Sequence, residues 1–126
     1  LASERAFRKS FSALFARPPG DEELRGFWQL ASQNGGKQAL AGLIRYMAER
    51  REHRTRWVSA LVETKQPVLV INGSLDPVSG AHLVDRLLAL RPHSEVVRLP
   101  HVGHYPQVEA PEEVLSAYLA FRARVA

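Results

Sequence analysis

Cysteine is absent from the 126-residue sequence. Disulfides, thiolate nucleophiles and cysteine metal sites are thereby excluded, and the composition is compatible with a reducing compartment. No apolar run reaches the roughly 18 residues that a membrane-spanning helix needs. The start of the chain shows no charged stretch followed by an apolar one, the mark of a secretory leader. A cytoplasmic protein that does not enter the membrane is therefore expected. Internal repeats and low-complexity segments are also missing. The first residue is Leu1 rather than methionine, which fits a cut or processed chain. What remains is an ordinary globular composition, 45% hydrophobic and 24% charged, enough for one modest domain.

The charge is unevenly placed. Residues 1–66 carry 12 Lys/Arg against 7 Asp/Glu, whereas residues 67–126 carry 5 against 6. The first half also has a helical rhythm. Ala6, Phe7, Phe11, Leu14 and Phe15 recur at helical spacing over Ser3 to Phe15, until Pro18-Pro19-Gly20 stops the pattern. Asp21 is suited to cap a second helix bearing Leu24, Phe27, Trp28 and Leu30. After the break at Asn34-Gly35-Gly36, a third helix is expected over Lys37 to Arg50, with Leu40, Leu43, Ile44 and Met47 on one side. A fourth is expected over Arg51 to Val62. Phe27, Trp28 and Trp57 read as core or inter-element aromatics, and Tyr46 as a packing residue that could also line a pocket.

The second half changes period. "PVLVINGSLDPVSG", Pro67 to Gly80, opens with Val68 to Ile71, an unalternated apolar run typical of a strand buried on both faces. An amphipathic helix follows over Ser79 to Leu90, then a short strand over Glu95 to Leu99, a loop "HVGHYPQVEAP", and a last helix over Pro111 to Val125. That helix has proline in its first turn, Glu112 and Glu113 near its positive end, and Arg122 and Arg124 near its negative end. Strand–helix–strand–helix predicts an α/β fold with two parallel strands.

Functional groups gather beyond the carboxyl ends of parallel strands. Asp76 follows the first strand here and His104 the second. Asn72, Gly73, Asp76 and Pro77 are also ordinary turn residues, and a plain turn is the alternative reading. If the strands are neighbours about 5 Å apart, the two loops can meet. A carboxylate can then fix the imidazole tautomer and leave the other ring nitrogen as a base.

These two motifs, in this order and at this spacing, resemble the C-terminal part of an α/β-hydrolase. Gly73-x-x-Asp76 resembles that family's acid loop after its seventh strand. Gly103-His104, with Glu109-Ala110-Pro111 downstream, resembles its histidine loop after the eighth. The resemblance covers roughly residues 64–126 and implies that Asp76 is the triad acid and His104 the general base. Residues 1–63 are similar to a helical cap with its lead-in helix, in the manner of the epoxide hydrolase and haloalkane dehalogenase branch. Tyr46 and Tyr105 are the candidate substrate contacts that this likeness implies. The expected function is hydrolysis of a small apolar ester, epoxide or halide without a cofactor. The family's nucleophile elbow precedes the cap, and nothing in this chain reads as one. The chain is therefore expected to be the C-terminal portion of a hydrolase, inactive alone. Two strands make a poor sheet, so the exposed strand edge is expected to be covered by a second copy, a swapped element, a rearranged helix or the missing N-terminal half.

The same residues admit other readings. His101, three positions before His104, could equally be the base, but His104 follows glycine and matches the family pattern, so His101 reads as a surface or loop-packing residue; no third residue at suitable spacing completes a metal site with this pair. Glu109 reads as structural, bonding loop amides or opening the last helix, and His82 and His93 as helix-surface or helix-end residues. "ERREHRTR", Glu49 to Arg56, could neutralise phosphates, but Glu49–His53 and Glu52–Arg56 at i,i+4 favour a solvated, self-paired face. No nucleic-acid partner is expected. The alternative to catalysis is a helical module that dimerises or binds through the apolar faces of residues 1–66.

Overall fold

The computed structural model describes residues 3–126, apart from the side chains of Leu40 and Ala41. Leu40, read as part of an apolar helix side, therefore lies outside the described side chains. The chain forms two compact units. One comprises the residues up to Phe11 together with Pro19–Lys65; the other comprises Ser12–Pro18 and Gln66–Ala126.

The first unit is helical. Helix α1 (Glu4–Ser12) ends three residues before Phe15, where periodicity alone would carry it. Phe15 is instead buried in the second unit, stacked on Tyr105 with centroids 5.0 Å apart. That burial outweighs the local helical preference. Helix α2 (Asp21–Ser32) is preceded by Gly20 at the cap position, not Asp21. The Glu23 carboxylate accepts the Gly20 N–H at 3.2 Å, while the Asp21 carboxylate pairs with the Arg8 guanidinium. A 3₁₀ turn (Gln33–Gly35) leads into α3 (Gly36–Leu43), α4 (Tyr46–Glu52) and α5 (Arg54–Glu63).

Two helices were expected over residues 37–62, and three short ones are found. The first break is a tightened turn in which the Arg45 and Met47 amides bond three residues back, to Gly42 and Ile44. The second is at His53, whose φ of −97° and ψ of 12° depart from helix. Neither break contains proline. His53 Nε2 approaches the Glu52 carboxylate at 3.9 Å, so its contact is with its neighbour rather than with Glu49. Phe7 and Leu24 are buried in this unit, and Phe7, Phe11, Phe27 and Trp28 form one aromatic cluster with centroids 5.1 to 5.4 Å apart. Trp57 is 44% exposed and Tyr46 47% exposed, so neither fills a core as the sequence suggested.

In the second unit, β1 (Leu69–Gly73) and β2 (Glu95–Leu99) pair in parallel, Leu69 opposite Glu95 and Gly73 opposite Leu99. Helix α6 (Ala81–Leu90) connects them and buries Val84 and Leu87. The expected loop after β2 contains one helical turn, α7 (Pro106–Glu109), and α8 (Pro111–Val125) follows with Pro111 in its first turn. Leu99, Val102 and Ala110 form the core, packed against Ile71, Val97 and Val114. The Arg124 guanidinium pairs with the Glu95 carboxylate, joining the end of α8 to the start of β2. The sheet has two strands among the described residues, so one edge of β1 carries no strand there. No helix among the described residues is long and apolar enough to cross a membrane.

Candidate active site

The two loops beyond the strand ends are joined first by backbone. The Ser74 amide donates to the Leu99 carbonyl at 2.9 Å, and the Leu75 amide to the Val102 carbonyl at 3.0 Å. Their approach is so close that a Cβ on Gly73 would lie 2.0 Å from the Gly103 oxygen and 2.6 Å from the Val102 oxygen. Only glycine fits there, because both obstacles are backbone.

Asp76 sits in the turn thus formed, its side chain 5% exposed. Its Oδ1 accepts the Val78 amide at 2.7 Å, fixing a local Asx turn. Its Oδ2 accepts the Ser79 hydroxyl at 2.7 Å and faces His104 Nδ1 at 2.8 Å. Turn former and histidine partner, set against each other in the sequence, are thus the same residue. Burial pushes the Asp76 carboxyl up. The bonds from the Ser79 hydroxyl, the Val78 amide, His104 and the Ser79 amide outweigh burial and hold it at about 2, below its ordinary 3.8.

With Oδ2 ionised, Nδ1 of His104 is the donating nitrogen, so that in the neutral ring Nε2 is the one with the lone pair. The His104 side chain is 29% exposed, so the ring is held but reachable. Its edge meets the Tyr105 ring at 4.8 Å and 89°. The Tyr105 hydroxyl is shifted upward from its ordinary value, by burial first and by the Asp76 charge second. The other sequence candidates fall elsewhere. His101 Nε2 pairs with Glu113 at 3.0 Å on the surface, as a loop-packing residue would. Tyr46 lies in the first unit, with the Arg50 guanidinium 5.9 Å over its ring. Among the described residues, no three His, Asp or Glu side chains converge so as to hold a metal ion.

Segment Ser12–Pro18, which sequence reasoning treated as the end of a helix, is part of this unit. The His104 amide donates to the Leu14 carbonyl at 2.9 Å. A Cβ on Gly103 would lie 2.6 Å from both that carbonyl oxygen and the Ala16 nitrogen, so the glycine before the histidine lets this segment pass. Ser79 was also missed as an acid partner, although its position three residues after Asp76 is the usual reach of a hydroxyl to a turn carboxylate.

Known proteins resemble this chain in sequence or in fold. The chain is 37% identical over 122 residues to LipZ of Mycobacterium tuberculosis, covering 95% of this chain and 42% of LipZ. It is 33% identical over 63 residues to Lipase 1 of Psychrobacter immobilis, covering 50% of this chain and 20% of that protein. Its fold superposes on a serine hydrolase involved in carbazole degradation, the CarC enzyme, with a TM-score of 0.72 at 21% identity, over 96% of this chain and 47% of that one. The chain thus spans less than half the length of each of these proteins. Residues 1–117 match the alpha/beta hydrolase family. Sequence and fold agree, and this chain belongs to the alpha/beta hydrolase family.

Proposed function

We propose that this chain supplies the acid and the base of a hydrolase acting on small, fairly apolar carboxylic esters. The observation that carries this reading is the 2.8 Å bond between Asp76 Oδ2 and His104 Nδ1, made between two loops 28 residues apart. The name of Lipase 1 supports the ester among the three substrate classes expected from sequence.

In this mechanism, His104 Nε2 takes the proton of a nucleophilic hydroxyl as its oxygen bonds to the ester carbonyl carbon. The same proton passes to the departing alkoxide when the carbon–oxygen bond of the ester breaks. His104 then takes a proton from water as the water oxygen bonds to the acyl carbon, and returns it to the nucleophile's oxygen as the bond between that oxygen and the acyl carbon breaks, which releases the acid and restores the hydroxyl. Asp76 holds the tautomer and offsets the imidazolium charge in both steps without itself taking the proton. Tyr105, at the edge of the imidazole, is the proposed substrate contact. The nucleophile belongs to a part of the fold outside this sequence, so the 126 residues alone are inactive. The open edge of β1 is where the family's sixth strand, also outside this sequence, would pair.

Extending the coding sequence upstream of the Leu1 codon tests this. A strand and a nucleophile elbow are expected there, and the extended protein should hydrolyse p-nitrophenyl acetate. His104→Ala should lower kcat by about 1,000-fold or more and leave the circular dichroism unchanged. Turnover retained in that variant removes His104 as the base.

A further inference from the structure

Glu109 closes α7, six residues past Gly103, and its carboxylate serves three backbone amides. Oε2 accepts the Ala16 N–H at 2.9 Å and the Arg17 N–H at 3.0 Å. Oε1 accepts the Gly103 N–H at 2.9 Å. Gly103 immediately precedes His104, and Leu14, two residues before Ala16, accepts the His104 amide. One carboxylate therefore ties the peptide just before His104 to the Ala16–Arg17 segment, which lies 93 and 92 residues from Glu109 in sequence.

The chemistry of the group suits this task. A carboxylate accepts at both oxygens, whereas a carboxamide accepts at one end and donates at the other. Bonds from amides to an ionised acceptor are roughly twice as strong as neutral ones. A residue needed only to begin α8 would turn its charge toward the amides of that helix. Glu109 turns it the other way, toward Gly103, Ala16 and Arg17.

We propose that Glu109 is a positioning residue for the Asp76–His104 pair. Its carboxylate fixes the peptide at Gly103 against the Leu14–Arg17 segment and so sets the direction in which the imidazole leaves the loop. The kinetic consequence rests on the reading of that pair as acid and base; the geometric consequence does not. A displacement of about 1 Å at a reacting nitrogen is enough to lower a rate about 100-fold.

Glu109→Gln, equal in volume, turns an amide nitrogen toward one set of N–H donors. In the 126-residue chain, the His104 Nδ1–H proton, observed by nitrogen-15 NMR, should exchange faster by about 10-fold or more. The Val78 amide, which also bonds Asp76, should keep its protection. General loosening of the fold would move both signals, so their separation is the diagnostic. Glu109→Asp keeps the charge but reaches less far, and should fall between the two. It also replaces Glu109→Gln in the measurement should that variant not fold. In the extended enzyme, Glu109→Gln should lower kcat by about 10- to 100-fold with KM nearly unchanged. A folded Glu109→Gln with an unaltered Nδ1–H signal overturns the proposal. Unfolding of both variants also overturns it, since the carboxylate would then serve the whole unit. If His104→Ala stays active, the catalytic reading fails while the NMR result still decides the role of Glu109.

Discussion

Asp76 carries a charge that the fold prefers to its neutral form, and that preference is measurable as stability. Its carboxyl is held at about 2 in the folded chain against 3.8 ordinarily, so between those values the unfolded chain binds more protons. The stabilisation is complete above about pH 4 and is lost as pH falls through about 2, amounting to about 2 kcal/mol. Urea unfolding at pH 5 and pH 2 should show that loss in the wild type and a much smaller one in Asp76→Asn. An equal loss in both proteins would assign the acid sensitivity to other carboxylates. Asp76 and His104 were legible in the sequence because their surroundings are: a β-branched run ending in Asn-Gly, and a histidine after glycine. The partners of Glu109 were not legible. They are backbone amides of Ala16 and Arg17, and a backbone amide leaves no trace in residue type.

Among the elements, the parallel pair β1 and β2 is the best determined. Each strand has an apolar run, Leu69–Ile71 in β1 and Val96–Val97 in β2, that is half-buried rather than enclosed on both faces as expected, and the intervening amphipathic stretch is long enough only for a crossover helix. Leu99 ends β2 at 4% exposure and belongs to the core cluster with Val102 and Ala110. Leu99→Ala should destabilise the chain by about 2–5 kcal/mol, through lost burial and the cavity left behind. Leu119→Ala, on the exposed side of α8, should change it by about 0.5 kcal/mol or less. Guanidinium unfolding of the two variants checks the contrast, and similar midpoints would contradict the assigned core. The helices of the first unit were less legible, for a related reason. The breaks at Ile44–Arg45 and His53 are set by turn hydrogen bonding and local dihedrals, without the proline that usually announces a break.

At the scale of the whole chain, the two units are not consecutive pieces of sequence. A polypeptide of residues 66–126 alone lacks Ser12–Pro18, and with it the Phe15–Tyr105 stack, both amide donors to Glu109 Oε2, and the acceptor of the His104 amide. Its thermal unfolding should be broad and weakly cooperative. Joining Ser12–Pro18 ahead of Gln66 through a glycine–serine linker should restore a sharp transition. A sharp transition of the same midpoint without the segment would show it to be dispensable.

The route of the chain has a further consequence for how such a protein can change over time. Backbone leaves the second unit after Pro18 and re-enters it at Gln66, so everything from Pro19 to Lys65 is a detour between two fixed anchor points. Insertions or deletions inside that detour leave both anchor points in the sequence unchanged.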